Sequence, residues 1–303
     1  MVEETSVLRD VPPAGLPAPK LRGGLRLLAA NRSALVGGIL TGAFLLVGLA
    51  GLTLIVVPGL RHLYLDQSLS DALKTPLQAG LLGTDSLGRD LLVRLVAGTG
   101  VSLAVAAIVT AISVLVGGTV GILAGYYRGK IDLFLSGVVD ITWGFPIILL
   151  AVVLAGVLSP GLTTVVLAIS LINWAGFARI IRGEVLSLRE QDFIRAARAI
   201  GVPNWRIIVR HLAPNVIAPT LVMGSYYVGI TIIAEAGLSF IGVGAQPPTP
   251  SLGKIIAEGQ NYWSIDSWIV LIPGVTLVLI VLGLNALGDG LRDLVDPRLR
   301  VRG

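Results

Sequence analysis

Long uncharged segments are the feature that most constrains how this chain can fold. From Ser33 to Val57 there is no charged residue in 25 consecutive positions, and a helix needs about 20 mainly apolar residues to cross a bilayer. Similar segments recur to the end of the chain, where only 14% of the residues are charged and 54% are hydrophobic. This composition is too apolar for a water-soluble globular protein. We therefore predict an all-α membrane protein.

Six spans account for the apolar segments, with the turn signal Ser159-Pro160-Gly161 dividing the longest of them. The predicted transmembrane domain covers 33–289, with spans at about 33–57, 98–126, 133–158, 161–178, 214–236 and 267–288. Polar and charged segments between the spans predict outer loops at 58–97 and 237–266, a cytoplasmic loop at 179–213, and tails at 1–32 and 290–303.

Lysine and arginine are distributed very unequally between the two sides of these spans. Of the 23 Lys and Arg residues, 18 lie in the two tails, in the turn at 126–132 and in the loop 179–213, and 5 lie on the opposite side. Because cytoplasmic loops carry the excess of positive charge, we predict that both termini and loop 179–213 are cytoplasmic. The net charge of +5 therefore reflects topology and does not indicate a nucleic-acid partner.

Several classes of function lack their characteristic residues. The absence of cysteine excludes disulfides and thiolate metal sites, and neither G-x-x-x-x-G-K-[ST] nor H-E-x-x-H occurs. Asp140 and Asp289 do not fit an aspartyl intramembrane protease, since Asp289 lies in A-L-G-D and not in G-x-G-D. We predict no catalytic residue, metal site or cofactor in this chain. An ion-coupled carrier is the weaker alternative, because only Asp140, Glu235 and Asp289 are ionisable near membrane depth.

The segment Asp192–Pro214 is a long charged passage inside the apolar domain and predicts helix, turn, helix. Gly201 suits the left-handed residue that ends a helix, and Pro203 suits the first turn of the next one. The apolar positions on one face of the first helix are Phe193, Ala196, Ala197 and Ile200. Its small alanines favour docking into a groove of a cytoplasmic partner, and the alternative is a basic loop lying on anionic lipid headgroups.

The same segment resembles the EAA loop of ABC importer permeases, whose pattern is E-A-A, three residues, Gly, nine residues and I-x-L-P. Four residues match at the required spacing, namely Ala196, Ala197, Gly201 and Pro214. Arg195, His211 and Ala213 replace the glutamate, the isoleucine and the leucine of the pattern. The variant R-A-A-R-A-x-G with R-H-x-x-P-N, at 195–201 and 210–215, is similar to the peptide and nickel branch of the family.

Four further motifs resemble the C-type permease subunit of dipeptide and oligopeptide importers. They are L-G-T-D-S-L-G-R-D at 82–90, Y-Y-R-G-K-I-D at 126–132, E-A-G-L-S-F-I-G at 235–242 and P-P-T-P-S-L-G at 247–253. The resemblance implies a type I ABC importer permease fold and a multi-pass protein of the bacterial inner membrane that moves peptides by alternating access. Other solutes of the same branch, such as nickel chelates or glutathione, stay open.

The resemblance also implies partners and site residues. The implied partners, besides the lipid bilayer, are a second homologous permease in a heterodimer, two cytoplasmic ATPase subunits that bind ATP and Mg²⁺, and an extracytoplasmic solute-binding protein. The implied ATPase-coupling residues are Asp192, Phe193, Arg195, Ala196, Ala197, Arg198, Ile200, Gly201, Trp205 and Pro214. Gly201 is expected to be the pivot, Ala196 and Ala197 the contact face, and Arg195 to pair with an acidic residue of the ATPase or with Asp192.

Polar residues inside the spans are the candidates for lining the transport pathway. They are Asn173, Ser225, Tyr226 and Asn285. The alternative for each of them is a hydrogen bond that bridges two helices.

Overall fold

The computed structural model describes residues 32–295, and this part of the chain is predominantly helical. The helices are α1 (Arg32–Val56), α2 (Leu91–Tyr127), α3 (Gly129–Trp143), α4 (Ile147–Leu158), α5 (Leu162–Arg189), α6 (Asp192–Ala199), α7 (Asn204–Ile207), α8 (Ala213–Phe240), α9 (Leu252–Gly259) and α10 (Trp268–Val295). A π-helical turn, Ile208–Leu212, joins α7 to α8, and short helical turns occupy Pro58–Leu60, His62–Leu65, Leu69–Asp71 and Gln260–Tyr262. The predicted tails lie outside the described residues except for Arg32 and 290–295, which are helical.

Within residues 32–295, five segments are long and apolar enough to cross a membrane. They are Ser33–Val56, Leu91–Tyr127, Leu162–Arg189, Asn204–Phe240 and Trp268–Asp293. The helices α3 and α4 meet at a bend of 82°, and counting this pair as one broken span gives six.

The segment 133–158, predicted as one continuous span, is interrupted in the structure. Helix α3 ends at Trp143, and α4 begins only at Ile147. Pro146 has no N–H to donate and restricts the residue before it to extended conformations, so the helix stops ahead of it. The apolar composition of 133–158 indicated that this segment crosses the membrane, but it did not indicate the break between α3 and α4.

Four helices continue past the predicted ends of their spans. Helix α2 begins at Leu91, not near 98, because the Asp90 carboxylate accepts a hydrogen bond from the Val93 N–H (3.0 Å) and caps the first turn. Helix α5 runs to Arg189, not to 178, and its arginines Arg179 and Arg182 pair with carboxylates of α3. The predicted spans end at the first charged residue, whereas a helix continues as long as its polar side chains find partners. Helices α8 and α10 likewise end at Phe240 and Val295, beyond the predicted 236 and 288.

Helix α2 packs closely along α5 because glycines remove side chains from the contact. A Cβ atom at Gly117 or Gly121 would collide with backbone atoms of α5 at Trp174 and Ala178. Close approach of backbones is the usual way in which membrane helices associate, since apolar burial gives no preference for protein over lipid. The paired helices α2 and α5 thereby form a firm support for the segment between α5 and α8.

Candidate functional site

The segment from α6 to α8 packs one side against the ends of three long helices. Ile194 of α6 and Ile207 of α7 are completely buried. They join a hydrophobic cluster that also contains Tyr126, Phe177, Ile181, Val185, Ala197, Leu212, Val216 and Tyr227. Apart from Ala197 of α6 and Leu212 of the π-helical turn, these residues come from α2, α5 and α8, so a displacement of α6 and α7 has to displace the spans as well.

The turn between α6 and α7 has the geometry that glycine provides. Gly201 has a φ of +79°, its N–H donates to the Arg198 carbonyl (3.0 Å), and the Val202 N–H donates to the Ala197 carbonyl (3.0 Å). This pair of bonds closes the end of α6 as a Schellman motif. A Cβ atom at Gly201 would meet no atom within 4 Å, so backbone conformation, not space, requires glycine. Pro203 precedes α7 as its N-cap residue, one position before the predicted first turn.

The opposite side of this segment exposes apolar side chains, which we call the exposed patch: Phe193, Ala196, Ile200 and Trp205. The side chains of Phe193, Ile200 and Trp205 are 41%, 80% and 62% exposed. Several apolar side chains exposed on one short charged segment make it a candidate interaction site. Trp205 also lines a surface groove together with Arg206, Val209, Arg210 and Pro214.

Ala197 does not belong to the contact face on which the sequence placed it. It is only 7% exposed and packs inward with Ile194, whereas Ala196 is exposed. Periodicity indicated a broad apolar stripe on α6, and the structure divides this stripe between an inner and an outer side. Ile194 was not singled out because a buried and an exposed apolar residue look alike in a helix of eight residues.

Tyr126, at the end of α2, connects all the elements of the site. Its hydroxyl donates to Asn204 Oδ1 (2.7 Å), and the Arg198 guanidinium lies 4.9 Å from the centre of its ring. Arg189 of α5 donates to the Tyr126 carbonyl oxygen. Sequence reasoning assigned no role to Tyr126, and the one available signal was its place in the motif at 126–132.

Arg195 pairs within the chain with Glu190 and not with Asp192, while its pairing with an acidic residue of the ATPase stays a prediction. Its guanidinium lies 3.3 Å from Glu190 Oε2, and Arg128 lies 3.1 Å from Glu190 Oε1. The hydrogen bond from Arg195, together with the charge of Arg128, lowers the pKa of the Glu190 carboxyl below its ordinary value. All three side chains are about half exposed, so these ion pairs orient the segment more than they stabilise it. Asp192 lies in the first turn of α6, where negative charge is favourable.

The family model for the binding-protein-dependent transport system inner membrane component matches residues 117–301, which include this whole site. The chain belongs to this family. The dipeptide transport system permease DppC of Alkalihalophilus pseudofirmus is 38% identical over 92% of this chain and 90% of its own length. The putative peptide transport system permease of Brucella suis is 44% identical over 74% of this chain and 75% of its own. The glutathione transport system permease GsiD of Pectobacterium atrosepticum is 39% identical over 74% of this chain and 75% of its own length.

Solved structures show the same fold. A chain of the MetNI methionine ABC transporter in an inward-facing conformation superposes with a TM-score of 0.56, at 22% identity, over 67% of this chain and 96% of its own. A chain of an amino acid ABC transporter gives a TM-score of 0.51 at 18% identity, over 65% of this chain and 91% of its own length. The predicted all-helical fold of a type I ABC importer permease is confirmed. The location in a membrane follows from the family and from the apolar helices.

On the other side of the permease, four charged residues lock the loop before α2 to α9. Asp85 accepts from Arg89 Nε (2.7 Å) and from Arg94, and Glu258 of α9 accepts from Arg89 (3.0 Å) and Arg94 (2.8 Å). Arg94 and Asp85 are 2% and 3% exposed. Burial by itself would raise the pKa of Asp85, but Arg94, Arg89 and two backbone N–H groups outweigh it and lower the pKa below its ordinary value.

Glu235 is a completely buried carboxyl group near the end of α8. It accepts hydrogen bonds from Ser102 of α2 (2.6 Å) and Ser239 (2.7 Å), and the Ser102 hydroxyl in turn accepts from the Leu252 N–H of α9 (3.4 Å). The carboxyl group thus ties three helices together. Of the two readings of its sequence position, ion path or hydrogen bonding near a helix end, the contacts favour the second.

The candidate pathway residues each lie at contacts inside the chain. Asn173 donates to Thr231 (3.2 Å) and so links α5 to α8, and Tyr226 donates to Asp289 and links α8 to α10. Ser225 donates to the Val222 carbonyl (2.7 Å) in its own helix, and Asn285 faces Gly229 across α8 and α10. The contacts of Asn173 and Tyr226 favour the bridging alternative, and lining of a pathway stays a prediction for all four residues.

No set of residues in the described part of the chain has the composition of a metal centre. Among residues 32–295, no group of three or more His, Cys, Asp or Glu side chains could hold an ion. The site that the structure does present is a rigid segment with an apolar outer surface.

Proposed function

We propose that this permease subunit belongs to an ATP-driven importer that carries peptides across the bacterial inner membrane by alternating access. The proposal for the solute rests on relatives named as dipeptide and peptide transport system permeases. The proposal for the mechanism rests on the exposed patch of the α6 to α7 segment, whose inner side is fixed to α2, α5 and α8.

In this proposal, ATP and Mg²⁺ are bound by two separate ATPase subunits, and each takes up one such segment in a groove. Closure of the ATPases would pull α6 and α7 together, and the rigid attachment of these helices would carry the movement into the spans. A second, homologous permease completes the pathway as a heterodimer, and an extracytoplasmic binding protein delivers the solute. The finer assignments, including cytoplasmic termini, follow from the charge distribution and the resemblance to the family.

Glutathione is the second candidate solute. A glutathione transport system permease is 39% identical to this chain over three quarters of both lengths, and glutathione is itself a peptide with free charged groups. Competition between labelled dipeptide and glutathione in uptake assays separates the two candidates.

The test is a single charge placed on the exposed patch. Ile200 is 80% exposed and does not belong to the hydrophobic cluster beneath α6 and α7. Ile200→Glu should therefore leave the fold intact. We expect that the variant inserts normally but retains the ATPase subunits poorly during purification and loses ATP-driven peptide uptake in proteoliposomes. Burying an unpaired charge in a protein interface costs several kcal/mol.

The matched control is Leu69→Glu, which also replaces an exposed aliphatic side chain with glutamate. Leu69 is 74% exposed and lies in the loop before α2. This variant should retain the ATPase subunits. Normal ATPase retention and uptake in Ile200→Glu would contradict the coupling role, and uptake driven by an ion gradient without ATP would contradict the importer class.

A further inference from the structure

The break between α3 and α4 lies at the middle of the helical bundle and leaves backbone on the surface. The Trp143 ring, at the end of α3, packs against Gly176, which is halfway along the 28-residue α5. Gly144, Phe145 and Pro146 are exposed in the chain. Non-helical backbone at membrane depth is tolerated only where it is covered by protein or lines a water-filled cavity. This face of the permease is therefore turned away from lipid.

An ion pair on the same face supports this conclusion independently. Arg179 Nη2 donates to Asp140 Oδ1 (2.9 Å), and the two side chains are 50% and 68% exposed. Arg179 follows Gly176 by three residues, which is less than one helical turn, so the pair lies close to the break. The Arg179 guanidinium also lies 4.9 Å from the centre of the Trp143 ring. Charged side chains at such depth face the interior of a bundle or water, because hydrocarbon solvates them poorly.

A second ion pair joins the same two helices, and it is more buried than the pair formed by Asp140 and Arg179. Asp132 accepts two hydrogen bonds from Arg182 (2.5 and 2.7 Å), and its side chain is only 16% exposed. Asp140 and Arg179, by contrast, share a single hydrogen bond and are largely open to the outside of the chain. A ligand can reach both charges of the pair formed by Asp140 and Arg179.

A cavity of about 300 Å³ adjoins the open pair. Asp140, Arg179 and Arg182 contribute its polar side, and its apolar wall is formed by Val120, Leu135, Val139 and Ala178. This volume is at the lower end of the range of about 300–1,000 Å³ for small-molecule sites. Because Arg182 is already paired with Asp132, the charges left for a ligand are those of Asp140 and Arg179. An apolar wall beside one negative and one positive group suits a small molecule that carries both charges.

We infer that Asp140, Arg179 and Trp143 form a site in the transport pathway that binds the charged termini of a peptide in transit. The inference rests on the proposed function. The peptide ammonium binds Asp140 and the peptide carboxylate binds Arg179, so one ion pair is exchanged for two charge-assisted bonds. Because the free site is already neutral, the gain on binding is small, and a peptide that enters can also leave. The Trp143 ring holds the guanidinium in place when Asp140 releases it.

The experiment measures whether each side chain recognises its own end of the peptide. Radiolabelled Ala-Ala, N-acetyl-Ala-Ala and Ala-Ala amide are titrated into the complete complex of permeases and ATPases in nanodiscs, without binding protein. In the wild type, we expect acetylation or amidation to weaken binding by about tenfold, the effect of one charge-assisted hydrogen bond. Asp140→Asn should remove most of the acetylation effect, and Arg179→Gln should remove most of the amidation effect.

Asp132→Asn is the control, since it removes the other carboxylate that pairs α3 with α5. This variant should keep both effects, even where overall binding is weaker. Equal acetylation effects in the wild type and Asp140→Asn, or no saturable binding of Ala-Ala to the wild type, would overturn the site. The same outcomes are expected if charged groups of the second permease bind Asp140 and Arg179, in which case these residues do not bind the peptide.

A parallel uptake assay separates failure of the site from failure of the proposed function. The wild-type complex with its binding protein is tested for ATP-driven accumulation of Ala-Ala in proteoliposomes. Accumulation without the expected residue-specific effects rejects the site alone. Absence of peptide accumulation rejects the proposed function as well.

Discussion

Gly201 shows how one residue determines the shape of the segment from α6 to α7. Its φ of +79° lies in the left-handed region, where side chains other than glycine are strained. The space around it is open, so a larger side chain is penalised through the backbone and not through a collision. A substitution at Gly201 therefore tests the backbone conformation without adding a steric clash.

We predict that Gly201→Val changes the end of α6 and uncouples ATP hydrolysis from peptide uptake. Holding a residue other than glycine in the left-handed region costs about 1–2 kcal/mol, and a β-branched residue is the least suited to it. Gly201→Asn is the control, because asparagine tolerates this conformation. The ratio of uptake to ATP hydrolysis in proteoliposomes should fall in the first variant and stay near the wild-type value in the second. Equal ratios in both variants would show that the turn is not required.

Among the elements, the loop before α2, the start of α2 and the helix α9 depend on one buried charge network. Asp85 and Glu258 supply the carboxylates, and Arg89 and Arg94 supply the guanidinium groups. Losing one member of a buried pair leaves the others without compensation, which is more costly than losing an exposed pair. The network therefore holds α9 against α2.

We predict that Asp85→Asn lowers the free energy of unfolding by about 3 kcal/mol at neutral pH. Because the folded pKa of Asp85 is lowered, the carboxylate stabilises the fold at pH values above its unfolded pKa of about 4. This contribution is lost as the pH falls through the folded pKa. Thermal unfolding of the purified permease should show the largest difference between wild type and variant above pH 5, and a narrowing difference below pH 4.

The exposed Asp66 provides the control for this measurement. Asp66→Asn should leave the unfolding temperature close to that of the wild type at every pH. A difference between wild type and Asp85→Asn that stays constant down to pH 3 would mean that the carboxylate charge is not what stabilises the loop.

At the scale of the whole molecule, the charge distribution predicts the orientation in the membrane. The loop before α2 and the α6 segment lie on opposite sides if the spans cross as proposed. Gln67 and Gln191 are exposed in these two segments, and the chain contains no cysteine, so a single introduced cysteine reports on one side only.

We predict that a membrane-impermeant maleimide labels Gln67→Cys in intact spheroplasts and labels Gln191→Cys only after lysis. The physical reason is the retention of lysine- and arginine-rich segments on the cytoplasmic side. Gel-shift quantification of the labelled fraction measures the result. Labelling in the opposite order would reverse the assigned orientation and would remove α6 from reach of cytoplasmic ATPases.

Sequence reasoning was most successful where a property depends on neighbouring residues. Uncharged runs of sufficient length indicated the membrane domain, and the motifs indicated the family, which the comparisons confirmed. The left-handed turn at Gly201 followed from the pattern around it, and the structure has it at φ +79°. Such properties are encoded within a few turns of chain.

The tertiary structure decided everything that depends on residues distant in the chain. It turned Ala197 and Ile194 inward and left Ile200 exposed, because the long helices cover one side of α6. It buried Arg94 by pairing it with Asp85 and Glu258, and it brought Asp140 of the broken span to Arg179 of α5. A charged residue near membrane depth is a structural link or a ligand site depending on its partner. Only the packing of the helices decides which partner that is.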